Sequence, residues 1–313
     1  MTSNGAPWTV MRLVRRSAEY LQEKGIAEGR LDAEHLLAHT LGIPRLELYL
    51  AHDRPVSPQE LGRFKDALRR RARREPLQHI LGTAEFRGLT LRMDGRALAP
   101  RPETEELVEA VLAWARGRGT DGMRALDVGT GSGAIALALV QEGPFHQVVA
   151  TDADPDALAL AQENASALGL EQWLDFRSGA YFEPVAPDEA FDVVVSNPPY
   201  VDEKAWEGLE PEVRDWEPRG ALVSGPDGLE VLAELMGAAG PVLRPGGLLA
   251  LEVGYGQAGE VARRLAADET FTQAEVRRDV RGVQRIVLAE RAAVPRVRTN
   301  VQSDVNRNDH GGS

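Results

Sequence analysis

The stretch Ala125-Leu126-Asp127-Val128-Gly129-Thr130-Gly131-Ser132-Gly133 places an apolar strand directly before a loop with glycine at every second position. Residues 134–140 (AIALALV) follow, and a segment this apolar predicts a helix packed against a sheet. Glycine tolerates positive φ and lets a ligand touch the backbone, and a helix N-terminus offers unpaired N–H groups. The stretch therefore predicts the ligand-binding strand–loop–helix unit of an α/β fold.

The glycine spacing limits what the loop binds. A dinucleotide loop has the spacing G-x-G-x-x-G, whereas Gly133 arrives one residue early, so pyrophosphate is the weaker interpretation. A second apolar strand, 147–151, ends at Asp152, and an acid about twenty residues after the glycines is placed to bind a ribose diol. Asp154, directly before Pro155, fits the N-cap of the next helix better, which leaves Asp152 free for the sugar.

A second motif, Asn197-Pro198-Pro199-Tyr200, follows the apolar strand 191–196. Its two prolines stiffen the turn and remove two N–H donors. A planar NH₂ group would donate one hydrogen to the Asn197 side-chain oxygen and the other to a backbone carbonyl, with the Tyr200 ring stacked beside it. Two fixed acceptors favour a geometry in which a delocalised nitrogen lone pair can attack. The alternative is an ordinary turn at the end of a strand, since Asn-Pro is a common breaker.

A nucleoside ligand without phosphate, beside a site for a planar nitrogen, indicates S-adenosylmethionine and N-methylation. The chain resembles class I methyltransferases, and specifically the PrmC/HemK family, which methylates the glutamine side-chain amide in the Gly-Gly-Gln loop of peptide chain release factors. The resemblance covers roughly residues 10–290. Besides the two motifs, it includes the segments PLQHILG at 76–82, FRG at 86–88, PRPETE at 100–105 and EPRGAL at 217–222.

The resemblance also implies the roles of individual residues. The positions that match cofactor-binding residues of the family are Gly129, Thr130, Gly131, Ser132, Gly133, Asp152, Tyr181 and Asn197. The loop that holds the glutamine matches Asn197, Pro198, Pro199 and Tyr200, with catalysis by Asn197, Pro198 and Tyr200. The family commonly has an acidic residue where this chain has Ala180, so the partner of the adenine amino group stays open. Glu103 and Thr104 line the site or cap the helix predicted at 104–115. No metal is expected.

The predicted fold class is α/β: a Rossmann-like class I methyltransferase with a seven-stranded, mostly parallel sheet and a small N-terminal helical domain. The predicted domains are a helical substrate-docking domain at 1–85, a hairpin linker at 86–100, the S-adenosylmethionine-dependent methyltransferase domain at 101–290 and a disordered tail at 291–313. Helices are predicted at 10–24, 31–41, 45–51 and 58–74. Strands are predicted at 124–128, 147–151, 173–177, 191–196, 248–253, 273–276 and 283–288. The resemblance implies the strand order 3-2-1-4-5-7-6, with the last strand antiparallel.

Composition excludes several classes of protein. The 313 residues include no cysteine, which excludes disulfides, thiolate metal sites and a cysteine nucleophile. Residues 1–16 lack the apolar core of a secretory signal, and no apolar run has the length of a membrane span, so we expect a cytoplasmic protein without membrane contact. The formal net charge of −12 opposes a sequence-independent grip on nucleic acid. We expect a monomer that acts on release factors, without direct nucleic-acid contact.

A basic run and a histidine pair are weighed separately. Seven basic residues lie within 63–74, and the spacing of the apolar residues there predicts an amphipathic helix with the arginines mainly on its solvent side. That face is either a solvated surface or a docking face for an acidic protein substrate. His35 and His39 are four apart on a predicted helix, but no third ligand is nearby, so a metal site is disfavoured.

Two alternatives to protein methylation remain. A nucleic-acid methyltransferase acting on an exocyclic amino group would share both motifs, but it needs a basic and aromatic recognition surface. A non-catalytic cofactor-binding adaptor would use the helical domain as its adaptor, but the two intact motifs disfavour a loss of activity.

Overall fold

The N-terminal part of the chain folds into helices because apolar residues recur there at helical spacing. The computed structural model describes residues 7–119 and 121–293. The helices are α1 (Val10–Glu23), α2 (Gly29–Leu41), α3 (Glu47–Leu50), α4 (Pro58–Ala72) and α5 (Leu77–Leu81). Their apolar faces form one core, which includes Leu13, Leu36 and Phe64. The helix predicted at 45–51 is shorter than expected, since only α3 forms there. Most of the tail predicted at 291–313 lies outside the described residues.

Helix α4 begins at a capping box and carries the basic run. The Ser57 hydroxyl accepts from the Glu60 N–H, and the Glu60 carboxylate accepts from the Ser57 N–H. The prediction that the arginines face solvent is wrong for Arg71, which is 7% exposed. Its guanidinium donates to Asp32 of α2 at 2.6 Å. Helical periodicity identifies the face on which a residue lies, but it does not show that another part of the chain covers that face.

A two-stranded antiparallel hairpin connects the helices to the rest of the chain. It consists of β1 (Thr83–Phe86) and β2 (Leu89–Arg92). Arg87 and Gly88, the two turn residues, have φ values of 47° and 76°, as tight hairpin turns require. Arg87 also donates to Glu142 at 2.6 Å. This bond holds the turn against the helix that ends at Glu142, which packs on the sheet described next.

A seven-stranded sheet follows. Its strands are β3 (Met123–Val128), β4 (Phe145–Asp152), β5 (Leu174–Ser178), β6 (Phe191–Ser196), β7 (Leu243–Glu252), β8 (Glu275–Arg278) and β9 (Gln284–Glu290). The helices around it are α6 (Pro102–Arg118), α7 (Ala134–Glu142), α8 (Pro155–Leu168), α9 (Glu203–Trp206), α10 (Pro211–Arg214), α11 (Glu230–Val242) and α12 (Ala258–Ala267). The order β5-β4-β3-β6-β7-β9-β8, with β9 antiparallel to both neighbours, confirms the expected order and the predicted fold class.

The sheet is buried on both faces. Successive residues of the central strands face opposite cores: Ala125 packs in one and Leu126 in the other. Helices α6 and α7 cover the first core, and α11 and α12 cover the second. The strand predicted at 248–253 begins earlier, at Leu243. Pro245 and the two glycines after it are typical of a turn, but here they lie within β7. The strand predicted at 273–276 lies two residues later, as β8. In the described ranges, no helix has the length and apolar character to cross a membrane.

Candidate active site

A cavity of about 660 Å³ lies at the carboxyl edge of the sheet. Strands β4, β3 and β6 are parallel neighbours, so the loops that follow them meet there. The predicted site residues that line the cavity are Gly129, Thr130, Gly131, Ser132, Asp152, Tyr181, Asn197, Pro198 and Pro199. Gly133 and Tyr200 are not among its lining residues. The structure therefore brings together nine of the eleven predicted positions, from four separate parts of the chain.

The glycine loop leaves backbone open towards the cavity. Gly129 has φ 74°, and a Cβ built on it would meet nothing within 4 Å. Gly133, in contrast, has φ 84°, and a Cβ there would lie 3.1 Å from Ala161 of α8. Gly129 thus provides space for a ligand, whereas Gly133 allows α7 and α8 to pack closely.

Asp127, at the end of β3, holds the loop from behind. It is fully buried, and its Oδ2 accepts from the Thr130 hydroxyl at 2.7 Å and the Ala136 N–H at 3.2 Å. Its Oδ1 has no partner among the described residues. Burial raises the pKa of Asp127 to about 7. No role for Asp127 was predicted, although an acid between apolar strand residues was a usable signal in the sequence.

Asp152, at the end of β4, is less free than predicted. Its Oδ2 accepts from the Gly131 N–H at 2.8 Å and its Oδ1 from the Asp154 N–H at 2.9 Å. Burial raises the pKa of Asp152. A carboxylate has about four acceptor sites, so about two remain for hydroxyl groups of a ligand. The predicted N-cap is confirmed, because Asp154 accepts from the Asp156 N–H at the start of α8.

Tyr181 lies at the far side of the cavity. Its φ is 50°, and its carbonyl accepts from the Thr151 hydroxyl at 3.4 Å. The side chain is 36% exposed, which leaves the ring accessible to a planar ligand. The neighbouring Ala180 donates its N–H to Glu183 at 3.2 Å.

Asn197 is held by Thr104, which lines the cavity as one of the two alternatives for this residue predicted. Its Nδ2 donates to the Thr104 hydroxyl at 3.0 Å, and Thr104 donates to Oε2 of Glu252 at 2.7 Å. The predicted cap at Glu103 or Thr104 is wrong: α6 begins at Pro102, its N-cap is Arg101, and no side chain caps it. Sequence reasoning missed Glu252, whose only signal was a lone carboxyl at the end of an apolar strand.

Tyr200 and Arg101 lie on either side of this group. The Tyr200 hydroxyl donates to Oε1 of Glu252 at 3.2 Å, so its side chain lies behind the Asn-Pro-Pro-Tyr loop. Burial raises the pKa of Tyr200. Arg101 lines the cavity and donates to both carboxylate oxygens of the buried Glu217, at 2.9 and 2.8 Å. Across the described ranges, no group of three or more His, Cys, Asp or Glu side chains is arranged to hold a metal ion.

Comparison with known proteins agrees with this geometry. Residues 12–82 match the model of the PrmC N-terminal domain, and residues 110–209 match that of the methyltransferase small domain. The release factor glutamine methyltransferase of Geobacter sulfurreducens is 42% identical over 287 residues, which are 92% of this chain and 98% of that protein. The chain belongs to the release factor glutamine methyltransferase family. The release factor glutamine methyltransferase of Rhodopirellula baltica is 39% identical over 294 residues, which are 93% of this chain and 99% of that protein.

A solved structure supports the fold of this family member independently. The hMettl16 catalytic domain, in complex with the MAT2A 3'UTR hairpin 6, has a TM-score of 0.54 at 16% identity. The match covers 73% of this chain and 82% of that one. At this identity the likeness extends to the fold alone.

The cofactor of a release factor glutamine methyltransferase, S-adenosylmethionine, fits the cavity. The volume lies in the range of small-molecule sites, about 300–1,000 Å³. The open backbone at Gly129 admits a ligand, and the free acceptor sites of Asp152 suit a ribose diol. Apolar side chains, among them Ile135 and Leu235, line the remaining wall.

Proposed function

We propose that this chain transfers a methyl group from S-adenosylmethionine to the side-chain amide nitrogen of the glutamine in the Gly-Gly-Gln motif of peptide chain release factors. The observation that carries the proposal is the orientation of Asn197. Its Nδ2 is engaged by Thr104, and its Oδ1 accepts no hydrogen bond from the described part of the chain. An amide oxygen in the cavity wall is suited to accept a hydrogen from the glutamine NH₂ group.

S-adenosylmethionine, when bound, supplies an electrophilic methyl group. The protein would hold the glutamine nitrogen beside it: Asn197 Oδ1 would accept one amide hydrogen and the Pro198 carbonyl would accept the other. Positioning of this kind lowers a barrier by up to roughly 7–11 kcal/mol in well-oriented cases. Asn197 also stabilises the positive charge that grows on the nitrogen. No side chain is assigned as general base, and the methylated amide loses its proton to water.

The remaining predicted residues take supporting roles. Residues 129–133 and Asp152 bind the cofactor, Tyr181 packs beside its adenine, and Pro199 and Tyr200 shape the glutamine loop. Residues 1–85 dock the substrate and 86–100 link them to the catalytic part at 101–290. The chain acts as a cytoplasmic monomer without direct contact to nucleic acid, in keeping with its net charge of −12.

The test is methyl transfer from labelled S-adenosylmethionine to a release factor, beside the same factor with its Gly-Gly-Gln glutamine changed to alanine. We expect label on the first substrate and none on the second. Equal labelling of both would refute the proposed site. Label on ribosomal RNA or DNA, with none on either protein, would refute the proposed substrate.

A further inference from the structure

Glu252 is a buried carboxyl that the mechanism above does not use. It is 1% exposed, at the end of β7. Each of its oxygens has one hydroxyl donor: Thr104 at 2.7 Å and Tyr200 at 3.2 Å. Thr104 is 4% exposed and lies 148 residues away in sequence. Burial of a carboxyl is costly unless it is hydrogen-bonded, and these two hydroxyls are the donors that hold Glu252 in place.

The ionised carboxylate sets the direction of a chain of hydrogen bonds. A carboxylate only accepts, so the single hydroxyl hydrogen of Thr104 must point towards Glu252. The Thr104 oxygen can then only accept a hydrogen bond from Asn197. The Asn197 amide must present its NH₂ group to Thr104, at 3.0 Å. Its oxygen therefore faces away from Thr104, on the side where the substrate amide is proposed to bind.

We propose that Glu252 is a positioning residue, which acts through Thr104 to hold the Asn197 amide with its oxygen towards the substrate nitrogen. This inference rests on the proposed function. With the amide reversed, the Asn197 NH₂ group would face the glutamine NH₂ group, and two donors would oppose each other. The carboxylate thus selects the productive one of two amide orientations that have nearly the same shape.

Protonation of Glu252 releases this constraint. A neutral carboxyl donates a hydrogen to Thr104, whose hydroxyl is then free to donate to a reversed Asn197 amide. The pKa of Glu252 is raised to about 7: burial is the main cause and the charge of Glu103 of α6 adds to it, whereas the hydroxyls of Thr104 and Tyr200 and the charge of Arg285 oppose the rise. Methyl transfer should therefore fall on acidification through neutral pH.

The test compares two substitutions of Thr104. Thr104→Val removes the hydroxyl and keeps the shape, whereas Thr104→Ser keeps the hydroxyl. The matched control is Thr90→Val, because exposed Thr90 donates to Glu85 at 2.9 Å on the hairpin. We would measure kcat and KM for a release factor from about pH 6 to about pH 9, and cofactor affinity by calorimetry.

Thr104→Val should lower kcat by about 10-fold or more, with cofactor affinity unchanged within about threefold, and the acidic limb of its pH profile should disappear. Thr104→Ser and Thr90→Val should keep kcat within about threefold of the wild type and retain that limb. A normal kcat in Thr104→Val, or an equal loss in Thr104→Ser, would overturn the proposal.

A second readout separates this proposal from the proposed function. If the protein does not methylate release factors, the proposed function is refuted, but the link between Glu252 and Thr104 can still be tested. Difference infrared spectroscopy during a pH titration follows the carboxyl stretch of Glu252, assigned by its loss in Glu252→Gln. Thr104→Val should shift that stretch and raise the titration midpoint, because it removes a donor to the ionised form. An unchanged midpoint would refute the link without any turnover.

Discussion

The Arg71 guanidinium of α4 donates to the Glu212 carboxylate of α10 at 2.9 Å, across 141 residues of sequence. Arg74 reaches the other oxygen of Glu212 at 2.7 Å. In the sequence, helix α10 lies between the Asn-Pro-Pro-Tyr loop and Glu217. Glu217 pairs with Arg101, which lines the cavity. This junction of Arg71, Arg74 and Glu212 connects the N-terminal helices to the segment that follows the Asn-Pro-Pro-Tyr loop in the sequence.

Glu212→Ala should destabilise the protein by about 1.5–3 kcal/mol, because it removes the carboxylate that accepts from both Arg71 and Arg74. Arg71 keeps its bond to Asp32, which limits the loss. The free energy of unfolding in urea measures the effect. Glu210→Ala is the matched control: Glu210 is 80% exposed in its side chain and lies 3.5 Å from Arg74, so a change within about 0.5 kcal/mol is expected. Equal losses of unfolding free energy in the two variants would show that the contacts of Glu212 stabilise the protein no more than those of exposed Glu210.

Asn197→Ala should lower kcat by on the order of 10²-fold or more, because it removes the acceptor that positions and stabilises the substrate nitrogen. Cofactor affinity should barely change, since the glycine loop and Asp152 provide most of the proposed contacts to the cofactor. Steady-state methyl transfer and calorimetry with S-adenosylmethionine measure the two quantities. Near-normal turnover in this variant would refute the role proposed for Asn197.

Local motifs explain how much of the site could be predicted from the sequence. The glycine loop and the Asn-Pro-Pro-Tyr turn each depend on neighbouring residues, so residue type and spacing were enough to find them. The strand order could be expected only through the resemblance, since periodicity does not determine which strands pair. Glu252 was missed, and Thr104 was given no distinct role, because their bond joins residues 148 positions apart. Arg71 was misplaced for the same reason: its partners come from other helices.

Asp152→Ala should weaken S-adenosylmethionine binding by about 10- to 100-fold, which corresponds to the loss of hydrogen bonds to a charged group. Asp154→Ala, two residues on, is the matched control. It removes the N-cap of α8 and should cost about 0.5–2 kcal/mol of stability, with cofactor affinity nearly unchanged. Calorimetric titration and urea unfolding of both variants check this. If the two variants bind the cofactor equally well, Asp152 does not hold the ribose.

The stability of the cofactor-free protein should fall as the pH rises towards neutrality, in part because of Asp127. Its pKa is raised to about 7 in the folded protein, above its ordinary value of 3.8. Between these values the folded state binds more protons than the unfolded state, so raising the pH removes stability. Asp127→Asn cannot titrate, and its unfolding free energy should fall less steeply between about pH 5 and about pH 7, by up to about 1.4 kcal/mol per pH unit. Parallel slopes for the two proteins in urea unfolding would contradict the assignment.

The exposed part of the basic helix gives the last prediction. Arg70 is a poor choice for a test of docking, because it is paired with Glu75 at 2.9 Å. Arg73 lies exposed at the end of α4. Arg73→Glu should raise the KM for a whole release factor by about 3- to 10-fold, more at low salt, if this face attracts an acidic substrate.

A short Gly-Gly-Gln peptide should react equally well with Arg73→Glu and the wild type, because it reaches only the cavity. Arg263→Glu makes the same charge change on α12, where Arg263 is 69% exposed in its side chain. It should leave the KM of both substrates unchanged, which excludes a general effect of net charge. Equal changes for the factor and the peptide in Arg73→Glu would show that the basic face is a solvated surface, because docking through α4 affects only the substrate large enough to reach it.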